Sequence, residues 1–305
     1  MRRQISETQM LWAIIGVMII VDAIWAWSSG IKVELHAAML LAFCLIVGLN
    51  LLYTTIRPNP VIAAFAAATS QLIAFTAAGA ILSYLAASSK FPLIDRYLAG
   101  ADAAIGFDWL SLFRWVQEHP GVDRVLAVSY GSGIPQIGVL LVVLPVLGQF
   151  ERMREFVWLF VLTLLIIIPL SWLVPAEGAW AYYGVAHLTN AYYLPHFNAL
   201  RAGAMPEIAM AQVVGIIQFP SFHAALALIL IYVSRGISYL FPISFLLNLA
   251  MIASTPTSGG HHFTDILAGL AVVPLAIFIL RSWQREPSAR LAVALNSVNQ
   301  NARLR

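Results

Sequence analysis

Eight apolar stretches of about 20 residues each, divided by short polar breaks, restrict this chain to very few architectures. They lie near residues 10–29, 36–55, 61–88, 122–147, 156–174, 221–238, 240–258 and 263–280. A helix of about 20 residues crosses the roughly 30 Å hydrocarbon layer of a bilayer. Only helices and closed barrels satisfy their backbone groups there. Of 305 residues, 61% are hydrophobic and 10% charged, and the mean hydropathy is +0.84. A soluble globular domain is thereby excluded, and an all-α polytopic membrane bundle of about eight spans is predicted. The single cysteine, Cys44, lies inside an apolar run, so no disulfide framework or Cys-based metal site is expected.

Charge placement predicts the orientation. With an even number of spans, one side holds Arg2, Arg3, Arg57, Arg152, Arg154, Arg235, Arg281, Arg285, Arg290, Arg303 and Arg305. The other holds Lys32, Lys90, Arg96, Arg114, Arg124 and Arg201. The excess puts both termini in the cytoplasm by the positive-inside rule. All seven histidines then fall at or near the outer face, so the chemistry is expected there. The apolar stretch after "MRR" has no small-x-small cleavage site and reads as a retained first span. Three regions follow: two N-terminal spans in 1–60, a membrane domain in 61–280, and a basic cytoplasmic tail in 281–305. The tail's spaced arginines suit anionic lipid rather than nucleic acid.

Two longer outer segments stand out. In 89–121, Asp108 is placed to cap a short helix that Pro120 ends, and Trp109 and Trp115 suit a helix lying in the membrane interface. The second, 175–220, is too rich in Tyr and Pro to span and is expected to cover the outer mouth. Asp22, inside the first span, reads as a hydrogen-bonded polar residue between helices, with an ion pathway as the alternative.

The stretch "GGHHFTDILAG", 259–269, puts ionisable groups at the mouth of the last span. His261 and Asp265 are four apart and share a helix face if that span opens near His261. A carboxylate there fixes an imidazole tautomer and sharpens the other nitrogen as a nucleophile or base. Two interfacial histidines and a capping aspartate would look the same. A second stretch, "IQFPSFHAALALIL" (216–229), places Pro220 at a helix start. His223 then falls in the first turn, where free N–H groups favour phosphate. Two such helix starts make a site for phosphoryl transfer, one histidine attacking phosphorus and the other protonating the leaving oxygen.

"FPSFHAA" followed by "HHFTDILAG" resembles the second and third signatures of the type 2 phosphatidic acid phosphatase superfamily. The similarity is greatest to its inositolphosphotransferase branch, which includes inositol phosphorylceramide synthases and bacterial relatives. It covers about residues 61–280, and "DRYLAGADAAIGFDW", with Asp95, Asp102, Gly106 and Asp108, also resembles the bacterial relatives. The resemblance implies a six-helix catalytic core in a bacterial inner membrane, with no cofactor and no metal. It makes His261 the phosphohistidine nucleophile, Asp265 its orienting partner, His223 the acid/base, and Ser221 a phosphate contact. Four residues on from His262 stands Ile266, which orients nothing, so a His262→Ala enzyme is expected to stay active. The family's first signature is broken: Lys90 and Arg96 are six apart, and Tyr97 stands where proline is usual. Ser254-Thr255 replaces the usual Ser-Arg. Arg201, Lys90 and Arg96 are the candidates to supply the missing phosphate-binding charge.

The implied substrate is a phospholipid or other lipid phosphate ester within the bilayer. Water as acceptor makes a phosphatase, and a polyol such as inositol makes a phosphotransferase. Two other classes compete. A transporter or channel would use Asp22 and the small residues of the third span. A metal hydrolase would use His223, His261, His262 and Asp265 as ligands and lose activity in chelator.

Overall fold

The computed structural model describes residues 6–303, with side chains as far as 284. Arg2, Arg3 and most side chains of the predicted basic tail lie outside the described residues.

Helix α1 (Glu7–Ser29) opens with a capping box between Ser6 and Gln9 and ends at Gly30, whose φ of +69° takes the left-handed region. Helix α2 (Ala37–Leu51) continues as a π-turn through Ile56 and buries no residue of its own. An apolar helix exposed on every side suits lipid. The Asn59 side chain caps α3 (Pro60–Ser88). Short helices α4 (Asp95–Ala104) and α5 (Trp109–Glu118) follow, α5 capped by Asp108 as predicted.

Then come α6 (Pro120–Gly131), α7 (Gly133–Val146) and α8 (Phe150–Leu173). After these lie α9 (Ala179–Tyr182), α10 (Leu194–Ala202), α11 (Phe222–Ser234), α12 (Leu240–Ser258) and α13 (Phe263–Arg303). The core is contributed by α1, α3, α7, α8, α11, α12 and α13. The chain is an all-α membrane bundle.

The eight apolar runs form helices of unequal length and regularity. Among the described residues, six helices are long and apolar enough to cross a membrane, and α6 with α7, bent by 46°, makes a seventh if the pair counts as one span. The run at 122–147 breaks because the ring of Pro135 opposes the carbonyl of residue 131, one turn back. Gly133 sits at the break, where a Cβ would be 3.3 Å from Leu226 Cδ2. The run at 221–238 yields only the 13 residues of α11, about 20 Å of helix. Gly236 takes φ +74° just beyond its end, and Arg235 leaves to pair with Glu155 at 3.0 Å.

Contacts sort the connections into two groups. Residues Lys32–Glu34 (β1) and Glu207–Ala209 (β2) form a small parallel sheet, with Val33 opposite Ile208. The Arg201 guanidinium donates to the Ser89 and Phe91 carbonyls. The 32–34, 89–121, 175–220 and 259–262 connections therefore share one end of the bundle. Arg235 and Arg281 meet Glu155 and Tyr232 at the other.

Candidate active site

The Gly259–His262 connection forms the floor of the site. Gly260, at φ +71°, turns the chain so that α13 can begin, and a Cβ there would lie 2.6 Å from the Trp180 ring. A Cβ on Gly259 would lie 2.7 Å from Tyr130 Oη and 2.9 Å from His261 Cδ2. Three donors hold the carbonyls of this loop and of the α12 turn before it: Ala179 N–H to Gly260 at 2.6 Å, Trp180 Nε1–H to Thr257 at 3.2 Å and Trp109 Nε1–H to His261 at 3.0 Å. Trp109, expected in the interface, is instead buried and clamps the loop. Trp115 remains half exposed.

His261 is buried, with Nδ1 2.9 Å from the Gln218 carbonyl oxygen and 3.6 Å from Asp265 Oδ2. The longer separation is beyond a direct hydrogen bond. The backbone carbonyl therefore fixes Nδ1–H, and Asp265 adds negative charge beside it. The lone pair is left on Nε2. Asp265 Oδ2 accepts from the His262 backbone N–H at 2.9 Å, and its carbonyl accepts from Ser221 N–H at 3.0 Å. Asp265 thus ties the starts of α11 and α13 together.

Ser221, fully buried, caps α11 by accepting from Ala224 N–H. Pro220 precedes this cap rather than opening the helix. His223 sits in the first turn, half-buried. The Tyr130 ring stacks on it at 4.0 Å between centroids, with Oη 3.1 Å from His223 Nδ1. Tyr192 lies close enough to Tyr130 to act on it electrostatically. His223 and His261 are close enough to interact electrostatically.

His262 has partners that its own helical spacing does not offer. Helix α4 supplies the carboxylates that its own helix lacks: Nε2 is 3.4 Å from Asp95 and Nδ1 is 3.6 Å from Asp102. The rings of Tyr182 and Tyr183 complete its enclosure. Burial disfavours the imidazolium, but Asp102 and Asp95 outweigh it and push the His262 pKa up to about 9. Asp102 also caps α13 from outside, accepting from the N–H groups of Phe263 at 2.9 Å and Thr264 at 2.8 Å. Burial opposes ionisation of Asp102, yet His262 and Thr264 hold its carboxyl below the usual range. Asp95 accepts from Glu177 and Gly178 N–H, anchoring the 175–220 segment. The same segment sets the Trp180 ring against Gly260 and the Tyr182 and Tyr183 rings beside His262.

The predicted cations stay at the rim. Lys90 and Arg96 are exposed, and Arg201 is held by two carbonyls beside the Phe197 ring. Among the described residues, no Lys or Arg makes a hydrogen bond or ion pair with His223, His261 or Asp265. The four residues considered as metal ligands do not converge, since His262 faces two carboxylates and His261 Nδ1 faces a carbonyl. Among the described residues, no group of three or more His, Cys, Asp or Glu is arranged to hold an ion.

Sequence reasoning missed Tyr130, the Gln218 carbonyl and the partners of His262. One signal was present: Asp95 and Asp102 are seven apart, two helical turns, and so share a face.

No curated protein and no solved structure matches the chain. The family model described as the PAP2 superfamily matches residues 96–279, 184 of the 305 residues. The match holds both histidine stretches and Asp102, beginning just after Asp95. The chain therefore belongs to the PAP2 superfamily, and that membership supports a phosphatase-type, phosphoryl-transfer enzyme.

Proposed function

We propose that the protein transfers the phosphoryl or phospho-headgroup of a membrane lipid through a phosphohistidine on His261. The observation that carries this reading is the Gln218 carbonyl 2.9 Å from His261 Nδ1, which leaves Nε2 as the attacking nitrogen. His223 protonates the leaving oxygen and then takes the proton of the acceptor, with Asp265 stabilising charge on His261. Ser221 and the first N–H groups of α11 meet the non-bridging oxygens.

Charge favours a phosphodiester over a phosphomonoester. Close to the reacting histidines stand Asp95, Asp102 and Asp265, against His262 and the imidazolium that His223 becomes to act as acid. A monoester dianion brings a second negative charge among these carboxylates, whereas a diester carries one. Arg201, Lys90 and Arg96 then meet the lipid headgroup at the rim. This supports the inositolphosphotransferase-like reading, with a polyol as acceptor, over simple phosphatidate hydrolysis.

Purified protein assayed on phosphatidylinositol and on phosphatidate, with and without added polyol and chelator, tests this. The expected result is faster turnover of the diester, phosphate appearing on the polyol, and no effect of chelator. Turnover of phosphatidate alone would remove the diester preference. Activity lost in chelator and restored by a divalent ion would favour the metal hydrolase.

The site is assigned to the outer face of a bacterial inner membrane, with both termini cytoplasmic. Support comes from the arginines gathered at the opposite end. Asn190 and Arg57 are both exposed, at opposite ends of the bundle. In intact cells an Asn190→Cys protein should react with an impermeant thiol reagent, and an Arg57→Cys protein should not. The reverse pattern inverts the topology.

A further inference from the structure

We infer that Tyr130 is the positioning residue for His223, fixing which imidazole nitrogen handles the proton. The inference rests on the histidine mechanism proposed above. Three observations meet at the Tyr130 hydroxyl. It lies 3.1 Å from His223 Nδ1. The ring stacks on the imidazole at 4.0 Å and 18°, so ring and oxygen together define the histidine's plane. Gly259 supplies the room, since a Cβ there would stand 2.7 Å from Oη.

The proton inventory gives the hydrogen bond a direction. To act as acid, His223 must be an imidazolium carrying hydrogen on both nitrogens. Its Nδ1–H donates to Tyr130 Oη, which leaves the Tyr130 O–H to turn away from the histidine, toward the neighbouring Tyr192. His261 Nε2 attacks phosphorus, the N–P bond forms and the P–O bond breaks. The leaving oxygen takes the proton from His223 Nε2. His223 is now neutral but keeps Nδ1–H on Tyr130, so Nε2 presents its lone pair to the acceptor hydroxyl. It takes that proton as the acceptor oxygen displaces His261. Tyr130 accepts the same hydrogen throughout, and His223 never changes tautomer. Tyr130 thus does for the acid/base histidine what the Gln218 carbonyl does for the nucleophile.

The titratable groups around His223 are Tyr130 from α6 and His261 from the α12–α13 connection, with Tyr192 and Tyr193 behind Tyr130. Removing an acceptor from Nδ1–H disfavours the imidazolium. The pH above which the acid is lost should therefore fall.

The test compares Tyr130→Phe with the parent enzyme on a long-chain lipid phosphate ester and on an activated aryl phosphate ester. Phenylalanine keeps the stacked ring. The expected result is a kcat on the lipid lower by about tenfold or more, with the alkaline limb of the pH–rate profile moved to lower pH. On the aryl ester, whose leaving group needs little protonation, the rate should change little. Should Tyr130→Phe fail to fold, 3-fluorotyrosine at position 130 weakens the oxygen as an acceptor, and a smaller shift of the same sign is expected. An unmoved alkaline limb, or one moved to higher pH, overturns the assignment of Tyr130. A His223→Ala control separates this from failure of the mechanism: if that variant is as active as the parent, His223 is not the acid at all.

Discussion

A His261→Ala protein should fold, insert and turn over no lipid substrate, with the rate lowered on the order of 10⁴-fold or more. Nothing else at the site can replace the lost nitrogen. His223, held at Nδ1 by Tyr130, is committed to the proton of the leaving oxygen, and both nitrogens of His262 face carboxylates. The change leaves the loop's own supports intact, because Trp109 bonds the backbone carbonyl of residue 261 and not its ring. Asp265→Asn should be milder, about 10- to 100-fold, since the Gln218 carbonyl continues to hold the ring. Rates measured beside thermal melts of both variants separate chemistry from folding.

The second large effect is structural. Asp102→Ala removes one wall of the His262 enclosure and the outside cap of α13 together. It leaves a buried imidazolium short of one carboxylate and the Phe263 and Thr264 N–H groups without their acceptor. Losing one partner of such a buried cluster costs about 3–5 kcal/mol. His262→Ala should be comparably harmful, because Asp95 and Asp102 would face each other without a cation. pH gives an independent view. The folded-state pKa of His262, about 9, is raised above its ordinary value of about 6.5. Its stabilisation is thus complete below about pH 6.5 and lost as pH rises through about 9. Thermal melts of the parent should fall across that interval. Asp102→Asn should start lower and show a smaller fall, and an equal fall in both would contradict the role assigned to the pair.

Local patterns in the sequence foretold local structure. The apolar runs became the bundle, and Asp108 capped α5; His261 and Asp265 came to lie side by side, although α13 opens at Phe263, two residues after His261. What stayed hidden depends on pairs distant in sequence or on groups that have no letter. Asp102 meets His262 from 160 positions away in the chain, and no helical count starting from His262 can find it. The acceptor for His261 Nδ1 is a backbone carbonyl, which any residue at 218 would supply. Strands β1 and β2 have three residues each, too few for an alternating pattern to emerge. The short α11 was foreshadowed by Arg235-Gly236 inside an otherwise apolar run. The proline at 135 likewise marked the bend between α6 and α7. A threshold on hydrophobicity alone passes over both signals.

The account turns on one covalent bond, and trapping it is the most direct test. Purified protein is mixed with a lipid ester labelled in its phosphate, quenched within a turnover at alkaline pH, digested and mapped by mass spectrometry. Acid-labile phosphate on His261, absent from the His261→Ala protein, is the predicted result. Phosphate on His262, or an active enzyme that never carries label on either histidine, would contradict it.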